Sequence, residues 1–122
     1  MKIKLLASVL ILIGLIAFFW FSNFNSSIDE RESLTLLTNT ISHDKLYNSF
    51  TTFECLSFHN TETTKEYYIF NIHEIHNNDC KGAPNTQPRI DTFKIMRQTE
   101  NIFYYDILED AYFPYSTSKL KR

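Results

Sequence analysis

The sequence predicts an α+β protein, with an N-terminal transmembrane helix and then one helix packed on a four-stranded antiparallel meander. An uninterrupted apolar run opens the chain, a segment with helical periodicity follows it, and short segments of alternating aromatic and β-branched residues come last. Of the 122 residues, about a hundred lie beyond the run, enough for one core and too few for two. We therefore expect a membrane helix at 1–24, one domain at 25–115 and a polar tail at 116–122.

The composition excludes several classes of function. Hydrophobic residues make up 43% of the chain and aromatic residues 16%, so the domain should fold. The net charge is -2, and without Lys2 and Lys4 it is -4, ten basic against fourteen acidic residues, which disfavours nucleic acid as a partner. Only Gly14 and Gly82 are glycines. Phosphate-binding loops and nucleophile elbows need more of them and are excluded.

The apolar run Leu5–Phe21 predicts a membrane-spanning helix. It follows a short basic start with Lys2 and Lys4, and as a helix it measures about 26 Å, close to the bilayer core. The run ends in the bulky residues Phe18–Phe21, which favour an uncleaved anchor over a signal peptide. Cleavage a few residues later is the alternative. In either case the basic start stays in the cytoplasm and the domain lies outside it.

The rest of the chain is predicted to hold one helix and then strands. Ser27 and Glu30 have the spacing of a capping box, which predicts a helix over 28–41. Alternating segments predict strands at 51–59, 66–76, 89–96 and 101–108. Residues 109–115 have the composition of a short edge strand ended by Pro114, but the predicted sheet counts four strands. The helix packed across an antiparallel meander is similar in architecture to cystatin-like or PepSY-like shapes.

Cys55 and Cys80 are the only cysteines, and they are predicted to form a disulfide. An even count in a domain outside the cytoplasm supports this pairing. The rival hypothesis is a reactive thiol at Cys80 with His76 as its base, which lacks a third group to orient the histidine.

His73, Glu74 and His76 suggest a zinc site, but strand geometry disfavours it. In an extended segment, His73 and His76 point to opposite faces, so ligands would have to come from His59 or Asp79. Solvated or hydrogen-bonded side chains at a strand end explain these residues better. No metal, cofactor or catalytic residue is therefore expected, and the protein is not expected to be an enzyme.

Aromatic residues on two predicted strands suggest a binding surface. Half of them must lie in the core, while the sheet face without a helix needs solvent or a partner. We assign Tyr68 and Tyr105 to that exposed face as binding residues. The aromatic residues concerned are Tyr67, Tyr68, Phe70, Phe103, Tyr104 and Tyr105.

Residues 74–89, EIHNNDCKGAPNTQPR, resemble a signature of small, uncharacterised envelope proteins of Gram-negative bacteria. In that signature Glu and His precede Cys-Gly-Gly-Asp-Pro, then Thr and Pro, then a strand with a Phe. This chain departs from it at Lys81 and Ala83. The resemblance implies a place in the periplasm, on a single-pass inner-membrane anchor or secreted after signal cleavage, and it implies no activity. The matching residues are Glu74, His76, Cys80, Gly82, Pro84, Thr86, Pro88 and Phe93.

The loop 77–88 reads as a rigid connector, because two prolines fix φ angles and Cys80 holds one end. Rigidity suits a binding loop, for which we predict Pro84, Asn85, Thr86 and Arg89 as contact residues, and it equally suits a structural crossover. The function predicted from the sequence is a membrane-anchored module that binds a protein partner in the envelope, of an inhibitor or immunity type. The alternative is a structural or assembly component of an envelope complex.

Overall fold

The computed structural model describes residues 2–23 and 26–116, and the domain is a helix on a meander of strands. The strands follow one another in the sheet in chain order, each antiparallel to the next. The elements are α1 (Lys2–Asn23), α2 (Glu30–Asp44), a short 3-10 helix (Phe53–Cys55), β1 (Leu56–Thr63), β2 (Tyr67–Glu74), β3 (Arg89–Met96), β4 (Ile102–Asp106) and β5 (Ala111–Pro114).

Helix α1 has the length and composition of a membrane span. Within it, Lys2–Phe21 is apolar enough to cross a bilayer, and none of this segment is buried within the protein. A signal sequence meets the same description. The N-terminal apolar helix is therefore confirmed, while Met1 and Phe24 of the predicted segment, and residues 117–122 of the predicted tail, lie outside the described residues.

Helix α2 begins two residues later than predicted. Its N-cap is Asp29, whose Oδ1 accepts the Glu32 N–H at 2.8 Å, while Glu32 Oε2 accepts the Asp29 N–H at 2.8 Å. This reciprocal pair is a capping box with the same spacing as Ser27 and Glu30, so the predicted box was wrong by two positions. The shift leaves Ile28 outside the helix, where it packs against the core. The helix ends at Asp44, three residues later than predicted, and its C-cap is Lys45, in the left-handed conformation.

The sheet has five strands, so the prediction of four was wrong by one. The tight turn 107–110 is built by Asp106, whose Oδ1 accepts the backbone N–H groups of Leu108 and Glu109, and by Asp110 at φ 51°. This turn ends β4 at Asp106 and returns the chain as β5, which pairs Tyr104 with Phe113.

The first two strands also differ from prediction, while β3 has the predicted bounds. Residues 53–55, predicted as strand, form the short 3-10 helix, and β1 continues to Thr63 through a segment predicted as a link. The second strand, predicted at 66–76, is shorter, at Tyr67–Glu74. A bulge between Asn60 and Glu62 keeps β1 paired with β2 over this added length.

Helix α2 covers one face of the sheet and forms the core with it. The most deeply buried apolar side chains are Leu37 of α2, Phe70 and Ile72 of β2, and Phe93 and Ile95 of β3. Because strand residues alternate, these β2 and β3 positions share the helix side.

The chain enters the domain at one end of the sheet, and the loop 77–88 lies at the other. At one end the Ile28 N–H donates to the Arg97 carbonyl oxygen at 2.9 Å, and the Arg97 guanidinium donates to the Thr64 carbonyl oxygen at 2.9 Å. The chain therefore enters the domain at this end. The loop 77–88 lies at the opposite end, about 26 Å away along strands of eight residues. The turn 107–110 lies towards the same end, after the five residues of β4.

The shifted capping box gives a stability test. We expect Asp29→Ala to lower the free energy of unfolding by about 1 kcal/mol, because the Glu32 N–H loses its acceptor. Ser27→Ala should leave stability unchanged. Urea unfolding of the full chain in detergent, followed by circular dichroism, measures both. A loss on Ser27→Ala without one on Asp29→Ala would contradict the observed cap.

Candidate functional site

The outer face of the sheet, opposite α2, carries an aromatic surface. Strand alternation divides the predicted aromatic residues as expected, with half in the core and half on the outer face. We call the outer set, with one lysine, the tyrosine face. Its residues are Tyr67, Lys94, Phe103, Tyr105 and Tyr112.

Tyr68 is not on this face, and its predicted place was wrong. It pairs with Ile95 on the helix side, is 5% exposed, and packs with the Arg97 guanidinium 4.9 Å from its ring centroid. Its neighbour Tyr67 takes the outer position instead. Tyr105 does lie on the outer face, where it was predicted, but it is half-buried there.

Lys94 is the centre of the tyrosine face. Its Nζ lies 3.9 Å from the ring centroid of Tyr112 and 4.7 Å from that of Tyr67, so two aromatic rings hold one ammonium group. Tyr67 donates its hydroxyl to Glu62 Oε1 at 3.0 Å, which brings a carboxylate to the rim. Sequence reasoning missed Tyr112 and Lys94, because their meeting depends on the pairing of β5.

Tyr105 and Tyr112 extend the face towards the turn 107–110. Their ring centroids are 5.3 Å apart, and the Tyr105 hydroxyl donates to Asp110. The hydrogen bond to Asp110 raises the pKa of Tyr105, the hydrogen bond to Glu62 raises that of Tyr67, and burial raises the pKa of Tyr112. The three phenols therefore stay protonated at neutral pH and offer rings and hydroxyls rather than phenolate chemistry.

The loop 77–88 is held at its start by a covalent link and an amide. The Sγ atoms of Cys55 and Cys80 lie 2.04 Å apart, at disulfide distance, which agrees with the predicted pair. The Asn77 side chain accepts the backbone N–H groups of Asp79 and Cys80, each at 2.9 Å. Neither cysteine has a free thiol, so the rival hypothesis of a reactive thiol at Cys80 does not agree with the structure.

His76 fixes the second half of the loop. Thr86 donates its single hydroxyl hydrogen to the Ala83 carbonyl oxygen at 2.6 Å, so at 2.7 Å it must accept from His76 Nδ1. His76 Nε2 lies 3.1 Å from Glu74 Oε1. The ring also lies against Gly82, where an added Cβ would come within 2.3 Å of it. His76 is thus a structural clamp.

The predicted loop residues divide into different roles. The Thr86 hydroxyl is hydrogen-bonded to His76 and to the Ala83 carbonyl oxygen, so this side chain stabilises the loop and is not available to a partner. Pro84 and Asn85 form an exposed turn, with Asn85 at φ 59°. Arg89 is exposed at the start of β3, and its charge slightly offsets the raised pKa values of the two outer tyrosines beside the turn 107–110. Arg89 pairs with His73 of β2, so it lies at the loop end of the sheet.

The histidines of β1 and β2 do not assemble a metal centre. Among the residues that the structure describes, no group of three or more His, Cys, Asp or Glu side chains could hold a metal ion. His73 is hydrogen-bonded through Nδ1 to the Gln87 carbonyl oxygen at 2.8 Å, and its ring stands edge-on to that of His59. The hydrogen bond fixes the loop to β2, and the ring contact places His73 against His59 of β1.

Comparison with known proteins adds no family. No protein-family model, curated protein or solved structure matches this chain. The cystatin-like or PepSY-like shape and the envelope-protein signature therefore stay predictions. What the fold itself defines is an α+β domain of five antiparallel strands and one covering helix, behind an apolar N-terminal helix.

The His76 clamp gives a test of the loop. We expect Gly82→Ala to lower the free energy of unfolding by about 1–3 kcal/mol, because φ is +139° and the new Cβ would overlap the His76 ring. Gly14→Ala, which meets no atom within 4 Å, is the matched control. In a His76→Ala background the cost of Gly82→Ala should shrink, as a double-mutant cycle in urea would measure. An unchanged cost in that background would contradict the clamp.

Proposed function

We propose that this chain is a membrane-anchored module that binds a protein partner in the periplasm, and that the tyrosine face is its contact surface. The observation that carries the proposal is an aromatic face, opposite α2, that none of the described helices covers. Tyrosine is enriched at the energetic centres of protein interfaces, because its ring buries a large area while its hydroxyl keeps a polar partner.

The charges around the face favour a protein over other ligands. Lys94 lies between two tyrosine rings, and Glu62 and Asp110 accept tyrosine hydroxyls, so the charged groups are already engaged with aromatic neighbours. A partner would cover Tyr67 and Tyr105, whose hydroxyls already have hydrogen-bond acceptors, which lowers the cost of desolvation. The acidic balance of the domain supports the same choice against nucleic acid.

The proposed location rests on α1 and the cysteine pair. An apolar helix of this length suits a single-pass inner-membrane anchor, with the basic residues Lys2 and Lys4 on the cytoplasmic side. A disulfide persists in an oxidising compartment such as the periplasm. Secretion to the periplasm after cleavage is the alternative. Both routes give the domain the same surroundings.

The arrangement of the ends supports an inhibitor or immunity-type role. The chain enters beside Arg97, whereas Pro84, Asn85 and Arg89 lie at the other end of the sheet, about 26 Å away. A tether at one end leaves the rigid loop and the adjacent end of the tyrosine face free to meet an enzyme of the envelope. The loop needs no ordering on binding because the disulfide and His76 already fix it.

An assembly component of an envelope complex is the second candidate. The observation that favours it is the exposure of α1: none of the segment Lys2–Phe21 is buried within the protein, and a Cβ added at Gly14 would meet no atom within 4 Å. Lateral contacts in a bilayer would then join the chain to its complex. Replacing Leu5–Phe21 with an unrelated spanning helix abolishes assembly in this case and leaves a tethered inhibitor working.

Photocrosslinking from the tyrosine face tests the proposal. With p-benzoylphenylalanine in place of Tyr112, irradiated membranes should give one discrete protein adduct, because this ring lies on the tyrosine face between Lys94 and Tyr105. The same group in place of Thr35, exposed on α2, should give none. Adducts are read by immunoblot and mass spectrometry. Equal adducts from both positions, or none from Tyr112, would contradict binding through this face.

A further inference from the structure

The hydrogen bonds of the His76 ring determine where its protons lie. Thr86 donates its one hydroxyl hydrogen to the Ala83 carbonyl oxygen, so His76 Nδ1 must carry the hydrogen that it donates to Thr86 Oγ1 at 2.7 Å. A neutral imidazole has a single N–H group, and this bond uses it. The other ring nitrogen, Nε2, would then present a bare lone pair to Glu74 Oε1, which is 3.1 Å away.

The contact between His76 and Glu74 therefore needs one more proton. With a hydrogen on Nε2, His76 is an imidazolium that donates to both Thr86 and the Glu74 carboxylate. Without that hydrogen, a nitrogen lone pair and a carboxylate oxygen face each other, and both are acceptors. The His76 and Glu74 side chains are only 11% and 17% exposed, so solvent screens this interaction weakly.

We propose that the His76 clamp is a proton-dependent switch of the loop 77–88, which holds the second half of the loop while His76 is an imidazolium and loosens it when the proton leaves. Imidazole is the side chain that ordinarily changes charge between about pH 5 and 8. The closed clamp binds one proton more than the loosened one. By linkage, its stability is greatest at low pH and falls as the pH rises.

The first half of the loop does not share this dependence on pH. The disulfide and the Asn77 amide hold it, and neither group titrates in this range. At the far end of the loop, the Glu74 backbone N–H donates to the Pro88 carbonyl oxygen at 3.0 Å, which fixes the return to β3. The proton therefore acts on residues 82–86, which lie between these fixed points and contain the exposed turn of the loop.

The other ionisable groups around the clamp do not replace Glu74. Among the described residues, no other acid lies within 4.0 Å of the His76 ring. His73 needs only one N–H group for its bond to the Gln87 carbonyl oxygen, which a neutral ring supplies, and buried Asp91 accepts the Tyr47 hydroxyl at 2.7 Å. The remaining charged or titratable side chains of the neighbouring elements are exposed to solvent, namely Glu54, His59, Asp79, Lys81 and Arg89.

The switch would make binding through the loop depend on pH. Pro84 and Asn85 lie in the segment that the clamp orders, and a loop that is already ordered costs less to bind. The loop's share of partner binding should therefore weaken as the pH rises. This consequence rests on the proposed function, whereas the switch itself is a property of the isolated chain.

Methyl NMR of the full-length protein in detergent micelles tests the switch, with isotope-labelled methyl groups on alanine and threonine. Raising the pH from about 5 to about 8, the range in which imidazole changes charge, should lower the order of the Ala83 and Thr86 methyl groups. Ala111 of β5 should stay unchanged. Nitrogen NMR spectra of the histidine rings should show hydrogen on both nitrogens of His76 at the lower pH and on Nδ1 alone at the higher.

Glu74→Gln separates the switch from a merely structural contact. The amide that it introduces can donate to a neutral Nε2, so the clamp closes without the extra proton. Its loop should keep the same methyl order at both pH values. Over the same range, the unfolding constant in urea should rise about tenfold more in the wild type than in this variant. Glu54→Gln, which removes an exposed acid from the adjoining 3-10 helix, is the matched control and should follow the wild type.

Two results would overturn the switch: equal methyl order in the wild type at both pH values, or a Glu74→Gln loop that loosens as much as the wild-type loop does. Neither result bears on photocrosslinking from Tyr112, and failure of that crosslink leaves the switch intact, so the two failures are distinguishable. Retention of the Cys55–Cys80 disulfide and of the circular dichroism spectrum at both pH values shows that the variants are folded.

Discussion

A single helix covers a single face of this sheet, and the rest of the structure depends on that constraint. Phe70, Phe93 and Ile95 are at most 1% exposed because α2 lies over them. No described element covers the opposite face, so its side chains must contact solvent, one another or a partner. On this face the Lys94 ammonium group lies against the rings of Tyr67 and Tyr112, so the side chains contact one another. These contacts order the aromatic side chains at the surface, whereas the face under α2 is a buried hydrophobic core.

The fold was largely predictable from local patterns, and the errors have physical causes. The helix, the bounds of β3 and the cysteine pair follow from periodicity, alternation and an even cysteine count. The capping box was misplaced because Ser27 and Asp29 each precede a glutamate at the right spacing, and only the packing of Ile28 decides between them. β5 was not counted because a strand of four residues gains its stability from pairing with β4.

The candidate site was less predictable, because it depends on which side of β2 faces the helix. Consecutive tyrosines begin this strand, and Ile69 is buried on the outer face, so alternation alone does not separate the two sides. Tyr68 was therefore placed on the wrong face. Thr86 was a reasonable contact residue by composition, but its hydroxyl is taken by His76, ten residues earlier. Long-range contacts of this kind have no local signal in the sequence.

Tyrosine nitration read by mass spectrometry tests the central claim, that the outer face is free in the isolated chain and covered in its native setting. In the purified protein, Tyr67, Tyr105 and Tyr112 should react, while buried Tyr68 and Tyr104 should not and serve as internal controls. In intact membranes the account predicts protection of the three outer tyrosines at unchanged reactivity of a reference tyrosine peptide. Equal nitration of the outer tyrosines in both settings would contradict a partner on this face.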